Sequence, residues 1–290
     1  MMKDILSDRL KEYAPANAIE QENALAEIMQ HYVLASLARA RFFGRAIFHE
    51  GTCLRILYGL HRFSEDLDFV LKDADPAFDW KSCVDRIRHD CAAEGIQLDV
   101  QGRAGKETAV RKVFLKTDSI GQILNLELPY ARHATRKIRI KLEIDTNPPG
   151  GATFETRFIT FPMATAITCM DLPSGFGSKC HALLCSEYVK GRDWYDFLWY
   201  ASRKVTPNLD LLSHALAQQG PWAGQQIAVT TAWFLKTLRS RIMEIDWRVA
   251  AQDVARFIMT REQEGLRVWS APLFLQHLED LAGKMAEAGR

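Results

Sequence analysis

The chain has 290 residues, enough for two domains, and its 48% hydrophobic and 25% charged content is that of a folded globular protein. The formal net charge is only +1, so a polyanionic partner must be bound by a local patch rather than by the overall charge. No apolar run reaches the roughly 18 residues of a membrane span, and the charged N-terminus does not resemble a signal peptide. The six cysteines form no CxxC pair, so we expect reduced, mostly buried thiols in a soluble cytoplasmic protein.

The predicted elements divide the chain into an α+β half and a helical half. Helices are expected at 19–43, 52–60 and 79–94, and strands at 46–48, 66–71, 98–101, 109–116, 123–128 and 137–145. Beyond Pro162 the periodicity predicts helices at 178–190, 192–203, 208–218, 223–244, 246–260 and 271–287. The aromatic side chains of Trp222, Trp233, Trp247 and Trp269 are expected in the core. We therefore predict an α+β domain over 1–162 and a helical domain over 163–290.

The strand predicted at 66–71 carries two carboxylates on one face. Side chains alternate along a strand, so Asp66 and Asp68 point one way and Leu67 points the other. Aspartate is disfavoured in strands, and two neighbouring carboxylates favour a hard divalent cation as their shared partner, because such ions prefer oxygen ligands. Two alternatives stay open: the pair is solvated on an edge strand, or it forms ion pairs with Arg55 and Arg62.

A Gly51-Thr52 step lies 15 residues before this pair, where a strand is predicted to pass into a helix. Free backbone N–H groups and the helix dipole favour an anion at such a junction. Glycine lets the backbone approach a phosphate closely, and the Thr52 hydroxyl can add a hydrogen bond. Beside an acidic pair, this junction favours the binding of a nucleoside triphosphate with magnesium.

The segment RKIRIKLEID, residues 136–145, alternates charged and apolar side chains and is predicted to be a half-buried strand. Asp145 lies at its end. If this strand lies near the Asp66 strand, Asp145 supplies a third carboxylate to the cation. The alternative is that Asp145 ends a half-exposed strand and faces water.

These segments together resemble the AbiEii/AbiGii toxin family of nucleotidyltransferases, which belongs to the polymerase-β-like superfamily. The resemblance is carried by Gly51-Thr52, Tyr58-Gly59 and residues 62–69, and then in the same order by residues 141–145, Lys179 and residues 191–196. It implies a mixed β-sheet with flanking helices, followed by a C-terminal helical bundle. The family usually has Gly-Gly or Gly-Ser at the phosphate turn, and Glu50 stands here in place of the first glycine.

The implied reaction transfers a nucleoside monophosphate from a nucleoside triphosphate to a hydroxyl, with two magnesium ions. The implied metal ligands are Asp66, Asp68 and Asp145, and the catalytic set adds Lys179 and Asp193 from the helical domain. The implied nucleotide-binding residues are Gly51, Thr52, Arg55, Ser64 and Lys179. Judged without the resemblance, Lys179 is a solvated surface lysine, Asp193 caps a helix, and Asp196 pairs with Arg192 or another basic neighbour.

The acceptor is predicted from charge, because basic residues are concentrated in the β-rich part of the chain. A basic strand face suits a phosphodiester backbone, although basic strand edges also prevent aggregation. The RNA-binding candidates are Arg111, Lys112, Arg136, Lys137, Arg139 and Lys141. The resemblance implies addition of nucleotides to the 3′ end of tRNA, which blocks translation, and a cognate antitoxin. The alternatives are a small-molecule or protein nucleotidyltransferase, an inactive nucleotide-binding or antitoxin-binding module, and a protein that only occupies an antitoxin or DNA.

Overall fold

The computed structural model describes residues 2–103, 119–127 and 138–288, so the strand predicted at 109–116 lies outside the described residues. The chain forms two compact units. The first comprises Met1–Pro148 with Glu155–Cys169, and the second comprises Pro149–Phe154 with Met170–Arg290. Residue 162, where we expected the domain border, falls within the first unit, because the chain makes one further strand after Pro162.

The described residues before Asp171 form four α-helices and seven strands. The helices are α1 Met2–Tyr13, α2 Ala18–Arg39, α3 Glu50–Tyr58 and α4 Lys81–Ala93. The strands are β1 Ala46–His49, β2 Asp66–Leu71, β3 Gln97–Arg103, β4 Ser119–Glu127, β5 Ile138–Asp145, β6 Phe154–Ile159 and β7 Thr165–Met170. Gly59, with a left-handed φ of +77°, ends α3 near the end of the helix that we expected at 52–60.

The described strands form one seven-stranded sheet in the order β3-β4-β5-β2-β1-β7-β6. Strand β2 lies inside the sheet, antiparallel to β1 and parallel to β5. The alternative of an edge strand for Asp66 and Asp68 is therefore wrong. The mixed sheet with its flanking helices confirms the predicted α+β class.

The apolar face of this sheet fixes where the opposite, polar face lies. Leu67, Phe69, Leu142 and Ile144 are at most 1% exposed and belong to one core cluster with the buried face of α2. Full burial of such a side chain contributes about 1.5–3 kcal/mol each. A one-residue slip of β2 would expose these side chains and bury the aspartates, so the core fixes the register of the acidic residues.

The second unit has a helix at each of the six predicted places, with the largest differences at both ends of the first, the start of the fourth and the end of the fifth. The helices are α5 Leu172–Cys185, α6 Gly191–Ser202, α7 Leu209–Gln218, α8 Thr231–Glu244, α9 Trp247–Ala255 and α10 Ala271–Ala288. A 3₁₀ segment, Thr260–Val268, precedes α10. None of the described helices combines the length and the apolar character that crossing a membrane requires.

The helix expected to begin at residue 178 begins at Leu172, so the glycines of SGFGS, residues 174–178, lie inside α5 rather than in a turn before it. Asp171 caps the helix by accepting a hydrogen bond from the Ser174 backbone N–H (2.9 Å). A Cβ on Gly177 would lie 2.6 Å from the backbone oxygen of Asn208, so the glycine permits a close approach of α5 to that segment. Glycine spacing alone does not distinguish a turn from such a packing position.

Two further expectations concern side-chain burial. The six cysteines are free thiols, and all except Cys185 are buried, as predicted. Of the four tryptophans expected in the core, only Trp247 is buried, and its ring stacks on Phe274 with the centroids 3.7 Å apart. The other three are partly exposed: Trp222, Trp233 and Trp269.

Candidate functional site

The two aspartates of β2 face the same side of the sheet as the charged residues of β5. The parallel register pairs Asp66 with Lys141 and Asp68 with Glu143. Register partners in adjacent strands lie about 4.7–4.9 Å apart and share a face. The expectation that the strand ending at Asp145 lies beside the Asp66 strand is therefore met.

The register makes Glu143, rather than Asp145, the partner of the acidic pair. Asp145 lies opposite Val70, two residues further along β5. It is 4% exposed and accepts a hydrogen bond from the Asn147 backbone N–H (3.0 Å). The metal role of Asp145 stays a prediction, and Glu143 is a candidate that the sequence analysis missed. Its signal was present in the alternation that puts Glu143 on the face of Lys141 and Asp145.

Carboxylates crowd around Asp68. Burial raises the pKa of Asp68 well above its ordinary value, and the negative charges of Asp66, Glu50 and Glu143 raise this pKa further. The positive charge of Lys141 acts in the opposite direction. We call the group of Glu50, Asp66, Asp68 and Glu143 the acidic cluster. Its excess of negative charge is the property expected of a site that accepts a cation.

The donor chemistry of the acidic cluster suits magnesium, which prefers oxygen ligands. Within the described ranges, however, no three His, Cys, Asp or Glu side chains are arranged to hold a metal ion as they stand. Glu143 instead forms an ion pair with the Lys141 ammonium group. The carboxylates of the acidic cluster suit a divalent cation, but the Lys141 ammonium group lies beside them.

The predicted phosphate turn is present at the start of α3, with different contacts from those we expected. The Thr52 side chain is 1% exposed, and its hydroxyl donates a hydrogen bond to the Asp66 carbonyl, which ties α3 to β2. That donor is therefore committed to the fold and is not directed at a phosphate. A Cβ on Gly51 would lie 2.5 Å from Nη2 of Arg62 and 3.0 Å from Oγ of Ser64, so a larger residue would require the Arg62 side chain to move.

Arg62 is a second residue that the sequence analysis left out of the site. Its side chain is 2% exposed, and Nη1 donates to the Phe63 carbonyl (3.0 Å). A buried guanidinium beside a helix start places positive charge where the backbone N–H groups of α3 begin. Its signal was the segment 62–69, in which we considered Arg62 only as a partner of the aspartates.

Arg55 anchors the loop that leads into β2. Its Nε pairs with Oε2 of Glu27 (2.8 Å), and its Nη1 donates to the carbonyls of Leu60 (3.0 Å) and His61 (2.7 Å). The carboxylate that pairs with Arg55 is therefore Glu27 on α2. The alternative in which Arg55 pairs with Asp66 and Asp68 is wrong. These contacts give the guanidinium a structural role, and its contact with nucleotide stays a prediction.

Glu50 occupies the first position of α3 in a left-handed conformation, with φ +63°. For a residue with a side chain this conformation costs roughly 1–2 kcal/mol relative to the right-handed one, and glycine avoids that cost. Relatives were expected to have glycine here. This chain therefore tolerates backbone strain in order to place a carboxylate beside Asp68.

Replacing Glu50 by Gly is expected to raise the free energy of unfolding of the metal-free protein by about 1 kcal/mol. The strain is relieved and one carboxylate leaves the acidic cluster. Glu50→Gln is the matched control, because it removes the charge and keeps the strain, so it should gain less than Glu50→Gly. Urea denaturation in the presence of EDTA measures both variants. A Gly variant that is no more stable than the Gln variant would show that the backbone of Glu50 is not strained.

Lys179 is paired within the second unit and is not a solvated surface lysine. Its Nζ lies 2.7 Å from Oδ1 of Asp193 and 3.2 Å from Oδ2 of Asp196. Lys179 is 3% exposed and Asp196 is fully buried. Asp193 lies in the first turn of α6, whose cap position is Lys190, so the expectation of Asp193 as the cap is wrong. The catalytic roles of Lys179 and Asp193 stay predictions.

Replacing Lys179 by Met is expected to lower the free energy of unfolding by about 3–5 kcal/mol, because two carboxylates lose their buried cation. Urea denaturation followed by far-UV circular dichroism measures the change. Lys236→Met on the exposed face of α8 is the control and should stay within about 0.5 kcal/mol of the wild type. Equal effects of the two substitutions would contradict a structural role for the Lys179 ion pairs.

Comparison with known proteins identifies the family of the chain. The family model of the nucleotidyl transferase AbiEii toxin, type IV toxin–antitoxin system, matches residues 32–275. The nucleotidyltransferase toxin MenT4 of Mycobacterium tuberculosis H37Rv is 16% identical with a TM-score of 0.52, over 97% of this chain and 99% of that one. A putative nucleotidyltransferase from Helicobacter pylori is 16% identical with a TM-score of 0.47, over 88% and 90% of the two chains.

No protein of curated function matches the chain. The likeness to MenT4 concerns the fold alone, whereas the family model covers well over half of the residues. The resemblance inferred from residues 51–69, 141–145 and 179–196 is therefore confirmed. The chain belongs to the AbiEii nucleotidyltransferase toxin family.

Proposed function

We propose that this nucleotidyltransferase uses divalent cations to transfer a nucleoside monophosphate from a nucleoside triphosphate to RNA, at the 3′ end of tRNA. The reaction class follows from the family. The observation that carries the metal-dependent part is the register of β2 with β5, which puts Asp66, Asp68 and Glu143 on one face. The tRNA acceptor and the antitoxin partner rest on the family resemblance.

Asp66 and Asp68 would hold the cations, with Glu143 as the third carboxylate and Asp145 as the alternative. When bound, two magnesium ions would offset the charge on the phosphoryl oxygens and lower the pKa of the attacking hydroxyl. The protein's own contribution is to orient the carboxylates. Burial of Leu67 and Phe69 fixes the orientation of β2. The hydrogen bond from Thr52 to the Asp66 carbonyl ties α3 to β2, and Arg55, which pairs with Glu27, holds the loop that leads into β2.

The phosphates of the nucleotide would lie at the start of α3, beside Gly51, Arg62 and Ser64. Gly51 is buried against the Arg62 guanidinium, and Arg62 and the helix dipole supply positive charge at this end of α3. The Glu50 carboxylate opposes this charge. We therefore expect Glu50→Gln to bind a non-hydrolysable triphosphate more tightly than the wild type does in calorimetry.

Only two of the six RNA-binding candidates lie in the described residues. Arg139 is exposed on β5, while Lys141 is paired with Glu143. The other four candidates lie outside the described residues: Arg111, Lys112, Arg136 and Lys137. The assignment of these side chains to RNA stays a prediction.

The proposal is tested by incubating the protein with each of the four α-labelled ribonucleoside triphosphates, total tRNA and Mg²⁺. We expect label on tRNA, none with EDTA, and none on tRNA whose 3′ end has been oxidised with periodate. Label on the protein itself would favour the protein nucleotidyltransferase instead. Absence of label from RNA with all four triphosphates would remove the RNA acceptor from the proposal.

A further inference from the structure

Lys141 is the cation that the fold itself places in the acidic cluster. It lies opposite Asp66 in the register of β2 and β5, on the strand that also carries Glu143. Its Nζ pairs with Oε2 of Glu143, and the two side chains are only 29% and 18% exposed. Its charge also acts on Asp68. One ammonium group is therefore close to three carboxylates of the cluster.

The charge of Lys141 is firmly held in this position. The ammonium group pairs with the Glu143 carboxylate, and Lys141 lies opposite Asp66 in the neighbouring strand. Its positive charge therefore lies among opposite charges. In return, the ammonium group reduces the repulsion among carboxylates that adjacent strands force together.

In the metal-free protein, the Glu143 carboxylate pairs with the Lys141 ammonium group. In the part of the chain that the structure describes, no three side chains of the ligand types are arranged to hold a metal ion. Glu143, which the register puts opposite Asp68, is committed to Lys141. Lysine carries a compact charge on a flexible four-carbon stem, so its head can move away while its backbone stays in the strand.

We propose that the Lys141 ammonium group is a resident counter-cation that holds the acidic cluster together without metal and leaves it when divalent cations bind. This inference rests on the proposed metal-dependent function. Lys141 is thus a positioning residue that acts through the carboxylates. Because binding of divalent cations must displace this ammonium group, Lys141 weakens magnesium binding, and without metal it stabilises the folded site.

The test is calorimetric titration of Mg²⁺ alone into wild type and Lys141→Met, together with thermal unfolding in EDTA. We expect the variant to bind Mg²⁺ at least about tenfold more tightly, because the competing positive charge is gone. We also expect it to melt at a lower temperature in EDTA, and Mg²⁺ to raise its melting temperature by more than it raises that of the wild type.

Arg139→Met is the matched control, since Arg139 is an exposed cation two residues earlier on the same strand face. It should change Mg²⁺ affinity by less than about twofold, because an exposed charge is screened by solvent and salt. A similar change in both variants would show a general charge effect and overturn a specific role of Lys141.

Unchanged or weaker Mg²⁺ binding by Lys141→Met also overturns the inference, while leaving the proposed function intact if the wild type binds Mg²⁺. Absence of Mg²⁺ binding in both proteins overturns the inference together with the metal-dependent function. If the variant folds only when Mg²⁺ is present, the result supports the proposal that the ammonium group stabilises the cluster in the absence of metal. If it does not fold even with Mg²⁺, the ammonium group cannot be replaced by a divalent cation and the inference fails.

Discussion

Replacing Asp66 by Asn is expected to lower the rate of nucleotide transfer by at least about 10²–10³-fold, as losing a group that organises transition-state electrostatics does. The amide keeps the shape of the side chain and removes the charge that would hold a cation. Rates of label transfer to tRNA at saturating triphosphate and Mg²⁺ measure the effect. Asp73→Asn is the control, because Asp73 is exposed just after the end of β2, and we expect it to retain wild-type rates.

The same substitution should make the metal-free protein more stable. The pKa of Asp68 is raised above its ordinary value of 3.8, first by burial and then by Asp66. The folded protein therefore binds this proton more tightly than the unfolded chain does, so stability falls as pH rises from about 3.8 through the raised pKa. Removing the charge of Asp66 lessens that fall. Wild-type transfer by Asp66→Asn, or a less stable metal-free protein at pH 7, would contradict our description of the site.

Replacing Glu143 by Gln is expected to lower transfer by about 10²-fold or more, since it removes the carboxylate opposite Asp68. The comparison is Asp145→Asn, two residues along the same strand. An amide oxygen at 145 can still accept the hydrogen bond from Asn147, so we expect less than about 1 kcal/mol of destabilisation and a much smaller loss of activity. Transfer rates and Mg²⁺ affinity of the two variants measure the difference.

This pair of variants separates two assignments of the third carboxylate. If Asp145→Asn loses more transfer and more Mg²⁺ affinity than Glu143→Gln, the assignment from the resemblance is right and the one from the strand register is wrong. If both variants transfer at wild-type rates, a site formed by Asp66 and Asp68 alone would be sufficient.

Local chemistry made much of this fold predictable. The alternation in residues 66–71 and 137–145 required two half-buried strands, because a strand with one apolar face has to bury that face. The helix that ends at Gly59 was predictable because glycine adopts the left-handed conformation of a helix end at little cost. Strand β7 was missed because its six residues, TAITCM, are too few to show a periodicity that separates a strand from a helix.

The hydrogen-bond and ion-pair partners of the candidate side chains were not predictable, because they depend on contacts between segments far apart in the chain. The sequence contained Arg55, Thr52 and Lys179 as candidates for phosphate. In the structure Arg55 pairs with Glu27, and the Thr52 hydroxyl donates a hydrogen bond to the Asp66 carbonyl. Lys179 forms ion pairs with Asp193 and Asp196. A charged side chain pairs with whatever the fold brings within about 4 Å, and single-sequence patterns do not include that information.

By itself, the sequence determined the family, the acidic face of β2 and the glycine at the start of α3, since each depends on residue order within a short segment. Only the tertiary structure decided that Glu143 lies opposite Asp68, that Arg62 packs on Gly51 and that Lys141 neutralises the cluster. The physical reason is the strand register. Burial of Leu67, Phe69, Leu142 and Ile144 fixes that register across two strands that are some 70 residues apart in the chain.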